Sequence, residues 1–416
     1  MAVVQSRSEY EEPPINYSIT TPTDSIARLQ QQIDKGQVRL AYNAQHGYLN
    51  SVLQALNIPV SSQMLVFSKT SFQRDLISPY MPRALYFNDN TYIGWVQGGR
   101  ALEVSTVDPQ LGAVFYILNQ DKTDKPRFTR QTHECLQCHD SNMASGVPGH
   151  IMRSVYTRAD GQPELREGSY ITTDQSPMKE RWGGWYVTGT HGAQRHLGNI
   201  IFHGEDTGAT LNLDKGANVT DLRGLVDTSP YLSEHSDIVA LMVIEHQTHL
   251  ENLITRANHQ TRTALYYEQE LNRELSRPQN YRSDSTISRI KSAGEPLVKA
   301  MLFVGEPPLT SPVAGTSGFS AQFAAKGPCD KRGRSLRELN LKTRLFKYPC
   351  SYLIYSEAFE GLPTLVKEYV YRRFWEILGG QDKSADFAHL SDADRKAIQE
   401  ILLDTRPDFA ASKLRF

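Results

Sequence analysis

The chain has 416 residues, 39% of them hydrophobic and 22% charged, and a formal net charge of −1. That length exceeds one small core and predicts two or three packed subdomains. The balanced charge offers no basic surplus for nucleic acid. No run of about 18 or more apolar residues is available to span a bilayer.

In chain order, residues 1–24 carry Glu11-Glu12-Pro13-Pro14 and Thr20-Thr21-Pro22-Thr23 and read as an extended arm. A short helix is expected from Asp24 to about Lys35, where Ile26, Leu29 and Ile33 recur at helical spacing. Between about 62 and 120 the pattern turns to strands. Short apolar or aromatic runs at 64–67, 84–87, 92–96 and 113–118 are separated by turn signals such as Asn88-Asp89-Asn90 and Gly98-Gly99. Similar runs at 170–173 and 185–188 predict further antiparallel strands. Most of the 20 tyrosines fit half-buried strand positions.

Residues 133–139 read His133-Glu134-Cys135-Leu136-Gln137-Cys138-His139 and contain C-x-x-C-H, the attachment signature of c-type haem. Each thiol can add across one porphyrin vinyl group, and one backbone segment then brings the adjacent imidazole to the iron. Over residues 135–139 the chain resembles c-type cytochromes. The resemblance implies one covalent haem c held by Cys135 and Cys138 with His139 as iron ligand. Two other readings stay open. His133, Cys135, Cys138 and His139 could bind zinc, although no second ligand pair at similar spacing accompanies them. A dithiol redox pair would leave the histidine without a reason. Small cytochromes are mostly helical, so the strands around this motif depart from the carrier pattern.

Cys329 and Cys350 read either as a disulfide closing a loop of about 20 residues, worth roughly 3 kcal/mol, or as two buried thiols. Haem c is attached outside the bacterial cytoplasm, which predicts a periplasmic or otherwise extracytoplasmic protein. The opening Met-Ala-Val-Val-Gln-Ser shows no export signal, so removal of a signal peptide is expected.

Residues 140–165 are loop-like and carry Met143, His150 and Met152. The tract from Glu180 to Gly192, with Arg195-His196-Leu197-Gly198-Asn199 behind it, is glycine-rich, aromatic and histidine-bearing. It resembles a tract of poorly characterised bacterial haem-c proteins, which implies no particular activity. Ten of the twelve histidines lie between residues 133 and 259, which makes this region the candidate site. Candidates for the sixth iron ligand are Met143, His150, Met152, Met178, His191 and His196, with His150 and Met178 first, beside an open position. Arg153, Arg181 and Arg195 suit the haem propionates or ordinary salt bridges.

A long helix is expected from Ile238 to about Leu271, capped by Ser236 with Asp237 in its first turn. Its first third is apolar nearly all round and must be buried. It then turns polar at Glu245-His246-Gln247-Thr248-His249, where His246 and His249, and Glu245 and His249, share a face. That turn could serve a second metal, a distal pocket or a proton relay, or be a buried hydrogen-bonded cluster. Residues 272–296 read as loop, 296–304 as helix and 305–334 as a long surface loop. Helices are expected at 365–378 and from the near capping box Ser391-Asp392-Ala393-Asp394 to about Leu403.

The expected fold is α+β: an arm over 1–24, a β-rich haem-bearing domain over 25–235, and a mainly helical domain over 236–416 packed on it. The expected function is that of an extracytoplasmic mono-haem c oxidoreductase, peroxidase-like or oxygen-activating. Proton transfer would fall to His150, His191, His196, Glu245, His246 or His249, and the partner would be a redox protein or a small-molecule oxidant. The alternatives are a six-coordinate electron-transfer or haem-sensing protein and a zinc-stabilised binding protein.

Overall fold

The structure, a computed structural model, describes residues 8–203, 206–208 and 210–413. Its centre is a six-stranded antiparallel meander in strand order: β1 (Met64–Val66), β2 (Arg83–Phe87), β3 (Thr91–Trp95), β4 (Ala101–Asp108), β5 (Gly112–Asn119) and β6 (Phe128–Gln131). Alternation along each strand divides two apolar faces. Leu65, Tyr86, Ile93 and Val104 face α1 (Ser25–Asp34) and α2 (Leu49–Ala55), whereas Met64, Val66, Phe87 and Tyr92 face the long helix. Residues 8–24 join the α1/α2 side. Tyr10, Ile15 and Tyr17 are buried there, and the Tyr17 hydroxyl donates to the Ala113 carbonyl at 2.7 Å.

The motif residues form a single turn, α3 (Leu136–His139), directly after β6. Helix α4 (Ile238–Glu274) then crosses the inner face of the sheet. Asp237, not Ser236, is its cap: Oδ1 accepts from the Val239 and Ala240 amides, while Oδ2 accepts from Thr316 and Ser317. The Ser236 hydroxyl is already committed to the Tyr186 carbonyl and the Leu65 amide. Around α4 gather α5 (Asp284–Met301), α6 (Phe319–Ala324), α7 (Glu357–Glu360), α8 (Thr364–Leu378), α9 (Asp392–Thr405) and α10 (Pro407–Ser412), with α6 also meeting Phe87 of β2. The fold is α+β, as the sequence predicts. Among the described residues no helix is long and apolar enough to cross a membrane.

Three local expectations are corrected. Residues 284–296 are helical, because α5 runs through Gly294 and Pro296. The missing side chain at 294 is what packing requires, since a Cβ there would sit 2.6 Å from the Tyr369 ring of α8. Residues 185–188 form no ladder strand. They make isolated bridges, Val66 with Trp185 and Thr188 with Asp237, as the tract threads between sheet and helix. Finally, Cys329 and Cys350 are free thiols, Cys350 buried and Cys329 exposed.

Candidate functional site

The Cys135–His139 turn is anchored by Leu136, which inserts into the core while Cys138 stays exposed and Cys135 is half-buried. The two thiols are three residues apart on a helical turn and therefore share a side. Burial, with help from Glu103 and Glu134, pushes the Cys135 thiol up to about 11, so it is protonated at neutral pH.

His139 is fixed, ring and backbone alike, by Gly149. Its Nδ1–H donates to the Gly149 carbonyl at 2.9 Å, and the Gly149 amide donates back to the His139 carbonyl at 3.0 Å. Among the described residues Nε2 has no hydrogen-bond partner, so its lone pair is available to a ligand-seeking group. Burial first, then the nearby His150, depresses the imidazole to about 4 and keeps it neutral. The ring rests against Phe115 with centroids 4.7 Å apart.

Gly149 and His150 are in turn clamped to α4 by Asn252. Its Oδ1 accepts from the His150 amide at 2.9 Å, and its Nδ2 donates to the His150 carbonyl at 2.7 Å. A Cβ on residue 149 would lie 2.3 Å from Asn252 Oδ1, so only glycine allows this approach. The His150 side chain lies over Ser105, with Nε2 3.0 Å from its hydroxyl and Nδ1 3.3 Å from Glu251 Oε2. Burial pushes His150 down to about 3 and Glu251 up to about 8. Both are therefore neutral near pH 7, and their contact is no ion pair. Glu251 also accepts from the Tyr92 hydroxyl at 2.6 Å. Gln247 donates to Tyr92 at 2.8 Å and accepts from Tyr352 at 2.6 Å.

The polar turn of α4 separates into two groups. His246 and His249 do share a face, and both donate from Nδ1 to Asp174, at 3.1 Å to Oδ2 and 2.7 Å to Oδ1. Burial alone would raise the Asp174 carboxyl, but the charges of His249 and His246 outweigh it and hold it below its ordinary range. His249 is raised, the Asp174 carboxylate overcoming the opposing burial. Glu245 instead pairs with Arg181 at 2.9 Å, and burial still lifts it to about 7. Among the described residues no three His, Cys, Asp or Glu side chains are grouped to hold a metal ion.

The remaining candidates are held locally. His191 Nδ1 donates to the Gln194 carbonyl and its Nε2 accepts from the Asn218 amide, both at 2.9 Å. His196 Nδ1 accepts from the Gly198 amide, and its ring lies 4.6 Å from that of His191. Burial depresses both, His196 to about 3. Met178 lines a small cavity with Asp174, Arg181 and Glu306, Met152 is buried in the core, and Met143 is exposed. Of the three arginines, Arg181 is committed to Glu245 and to the Asp174 and Ser176 carbonyls. Arg153 bonds to Ser169 and Arg195 to Asp214.

Sequence reasoning missed Arg83 and Glu103, an ion pair on β2 and β4 whose charges act on His139. It also missed Phe115, Asn252 and Gly149. The pattern Gly146-Val147-Pro148-Gly149 was the available signal, because two close glycines mark a place where backbone must approach something. Comparison of the chain with protein-family models, with curated proteins and with solved structures finds no match.

Proposed function

We propose that the chain is a mono-haem c-type oxidoreductase of an extracytoplasmic compartment, with thioethers at Cys135 and Cys138 and His139 Nε2 as the proximal iron ligand. The observation that carries this is the Nδ1–H bond from His139 to the Gly149 carbonyl. Metal-bound imidazoles almost always donate their other N–H to such an acceptor, which fixes the tautomer and raises the basicity of the ligating nitrogen. A depressed imidazole that is neutral at pH 7 also keeps its lone pair without competition from protons. Zinc would need further ligands than this turn offers.

A bound haem would supply a one-electron couple at the iron. The chain's own contribution is positioning. Gly149 and Asn252 set the imidazole plane, and Phe115 packs against the ring at a tilt. The neutral His150–Glu251 contact places no net charge beside the ligand. Arg83, paired with Glu103, is the cation whose charge acts on His139, whereas Arg181 is committed to Glu245.

The test is expression with haem-maturation machinery, followed by haem staining of a denaturing gel and a pyridine haemochrome spectrum. The parent should carry one covalent haem, and Cys135→Ala/Cys138→Ala should carry none. His139→Ala should keep the thioether-linked stain yet lose the parent's Soret and α-band positions. A parent without covalent haem would end this reading.

A further inference from the structure

Five side chains form a continuous line from the proximal histidine to a pocket on the other side of the sheet's inner face. The register pairs Phe87 with Tyr92, Tyr92 with Ser105, and Ser105 with Phe115, so one cross-strand row runs over β2, β3, β4 and β5. Ser105 is too small to fill its place in that row, and the His150 imidazole lies over it instead. Ring centroids are 6.3 Å apart from Phe87 to Tyr92, 4.3 Å from Tyr92 to His150, 6.0 Å from His150 to Phe115 and 4.7 Å from Phe115 to His139. No aliphatic side chain interrupts the row.

Phe87, at the far end, is also a wall of a half-open cavity of about 240 Å³. Phe319 and Phe323 of α6 complete an aromatic lining, with Phe319 5.5 Å from Phe87 and 5.7 Å from Phe323. The polar rim carries Asp89 and Lys326. Asp89 is already held by both terminal nitrogens of Arg337, whereas Lys326 reaches it only at 3.7 Å. The buried Arg337 behind the wall satisfies Asp89, which leaves Lys326 as the less committed charge of the rim. A flat aromatic body and one negative group are what this geometry accepts.

We propose that this cavity binds a hydroxylated aromatic carboxylate of the hydroquinone class and that the ring row carries its electrons toward the haem at His139. The inference rests on the haem reading for its electron acceptor, and on the cavity alone for its ligand. A haem held by Cys135, Cys138 and His139 would accept one electron, so oxidation of one hydroquinone to the quinone would draw on the haems of two chains. The hydroquinone's two phenolic protons leave to solvent through the open mouth of the cavity.

The experiment uses the haem-loaded full chain, its haem content established first by the pyridine haemochrome, and 2,5-dihydroxybenzoate as probe. Calorimetry should show one site per chain. Gln322→Trp, on the exposed surface of α6, should fill the cavity and weaken binding at least about ten-fold. Lys326→Glu should weaken it several-fold, and more at low salt than at high. Stopped-flow reduction of the haem by the probe should slow in both variants while reduction by dithionite is unchanged. Tyr92→Leu should slow the probe's reduction several-fold without altering its binding, and Tyr92→Phe, which keeps the ring, should restore the rate. Absence of binding to haem-loaded protein, or equal binding by parent and Gln322→Trp, would overturn the site. If the parent carried no haem after expression with maturation machinery yet bound the probe, the cavity would stand and the electron route would fall together with the haem reading.

Discussion

Asn252→Ala should be among the most damaging changes that leave the motif itself intact. The substitution removes two buried hydrogen bonds, 2.9 Å from the His150 amide and 2.7 Å to its carbonyl, and leaves both backbone groups unpaired. An orphaned buried polar group costs about 1–3 kcal/mol, so a loss of about 2–4 kcal/mol is expected. Gly149→Ala attacks the same contact from the other side. Residue 149 has no left-handed φ, so its cost is steric: the new methyl would meet Asn252 Oδ1 at 2.3 Å, an overpacking worth about 1–3 kcal/mol. In the double variant the methyl enters the space that the amide vacated. The combined loss should therefore fall short of the sum by about 1–2 kcal/mol. Urea unfolding midpoints at constant m-value measure all three variants. Strict additivity would refute the claim that Asn252 is what glycine at 149 accommodates. The Soret band supplies a second readout, since both single variants should disturb the imidazole that Gly149 orients.

Glu251→Gln tests the buried carboxyl. Its folded pKa of about 8 lies above the unfolded value, so folding takes up a proton between about pH 4.5 and 8, and this contribution is present at low pH and lost as pH rises. The variant should gain on the parent by about 1.4 kcal/mol per pH unit across that window, and parallel stability profiles at pH 5, 6.5 and 8 would contradict it. Arg181→Met should destabilise by less than a stranded charge would, about 3–5 kcal/mol, because Glu245 can take up a proton, and adding Glu245→Leu should recover only part of it, since the Asp174 and Ser176 carbonyls stay unpaired. Asp237→Ala should cost at least about 1–2 kcal/mol through the lost cap of α4, with accelerated amide exchange at Val239, Ala240, Thr316 and Ser317.

How far these elements could be read from residues depended on how local their causes are. The strands at 84–87, 92–96 and 113–118 and the helices at 238, 365 and 391 announce themselves through apolar runs, periodicity and caps. Strand β4 was quieter. Leu102 and Val104 alternate with Glu103 and Ser105, a period-2 pattern without the aromatic density of its neighbours. Helix α2 has only seven residues and no sustained period. The α5 error had a tertiary cause, because Gly294 and Pro296 are breakers in isolation, and only the approach of Tyr369 explains the glycine.

The candidate site divides along the same line. C-x-x-C-H was legible because its chemistry resides in five consecutive residues. The pairing of His246 with His249 followed from helical spacing, but Asp174, which joins them, lies 72 residues from His246 and carries no local mark. The ring row shows the limit most clearly. Phe87 and Tyr92 flank the turn at Asn88–Thr91, so their cross-strand pairing follows from the hairpin alone. Bringing Phe115 into register with them needs two further hairpins, and one slipped residue in either would send its ring to the α1/α2 face. The step that closes the row is less local still. Ser105 looks like an unremarkable polar strand residue until His150 arrives from a loop 45 residues away and is held there by Asn252 of α4. A small side chain at 105, a glycine at 149 and an asparagine at 252 are thus one requirement written in three places. A larger residue at 105 should expel the imidazole and break the ring contact on both sides at once.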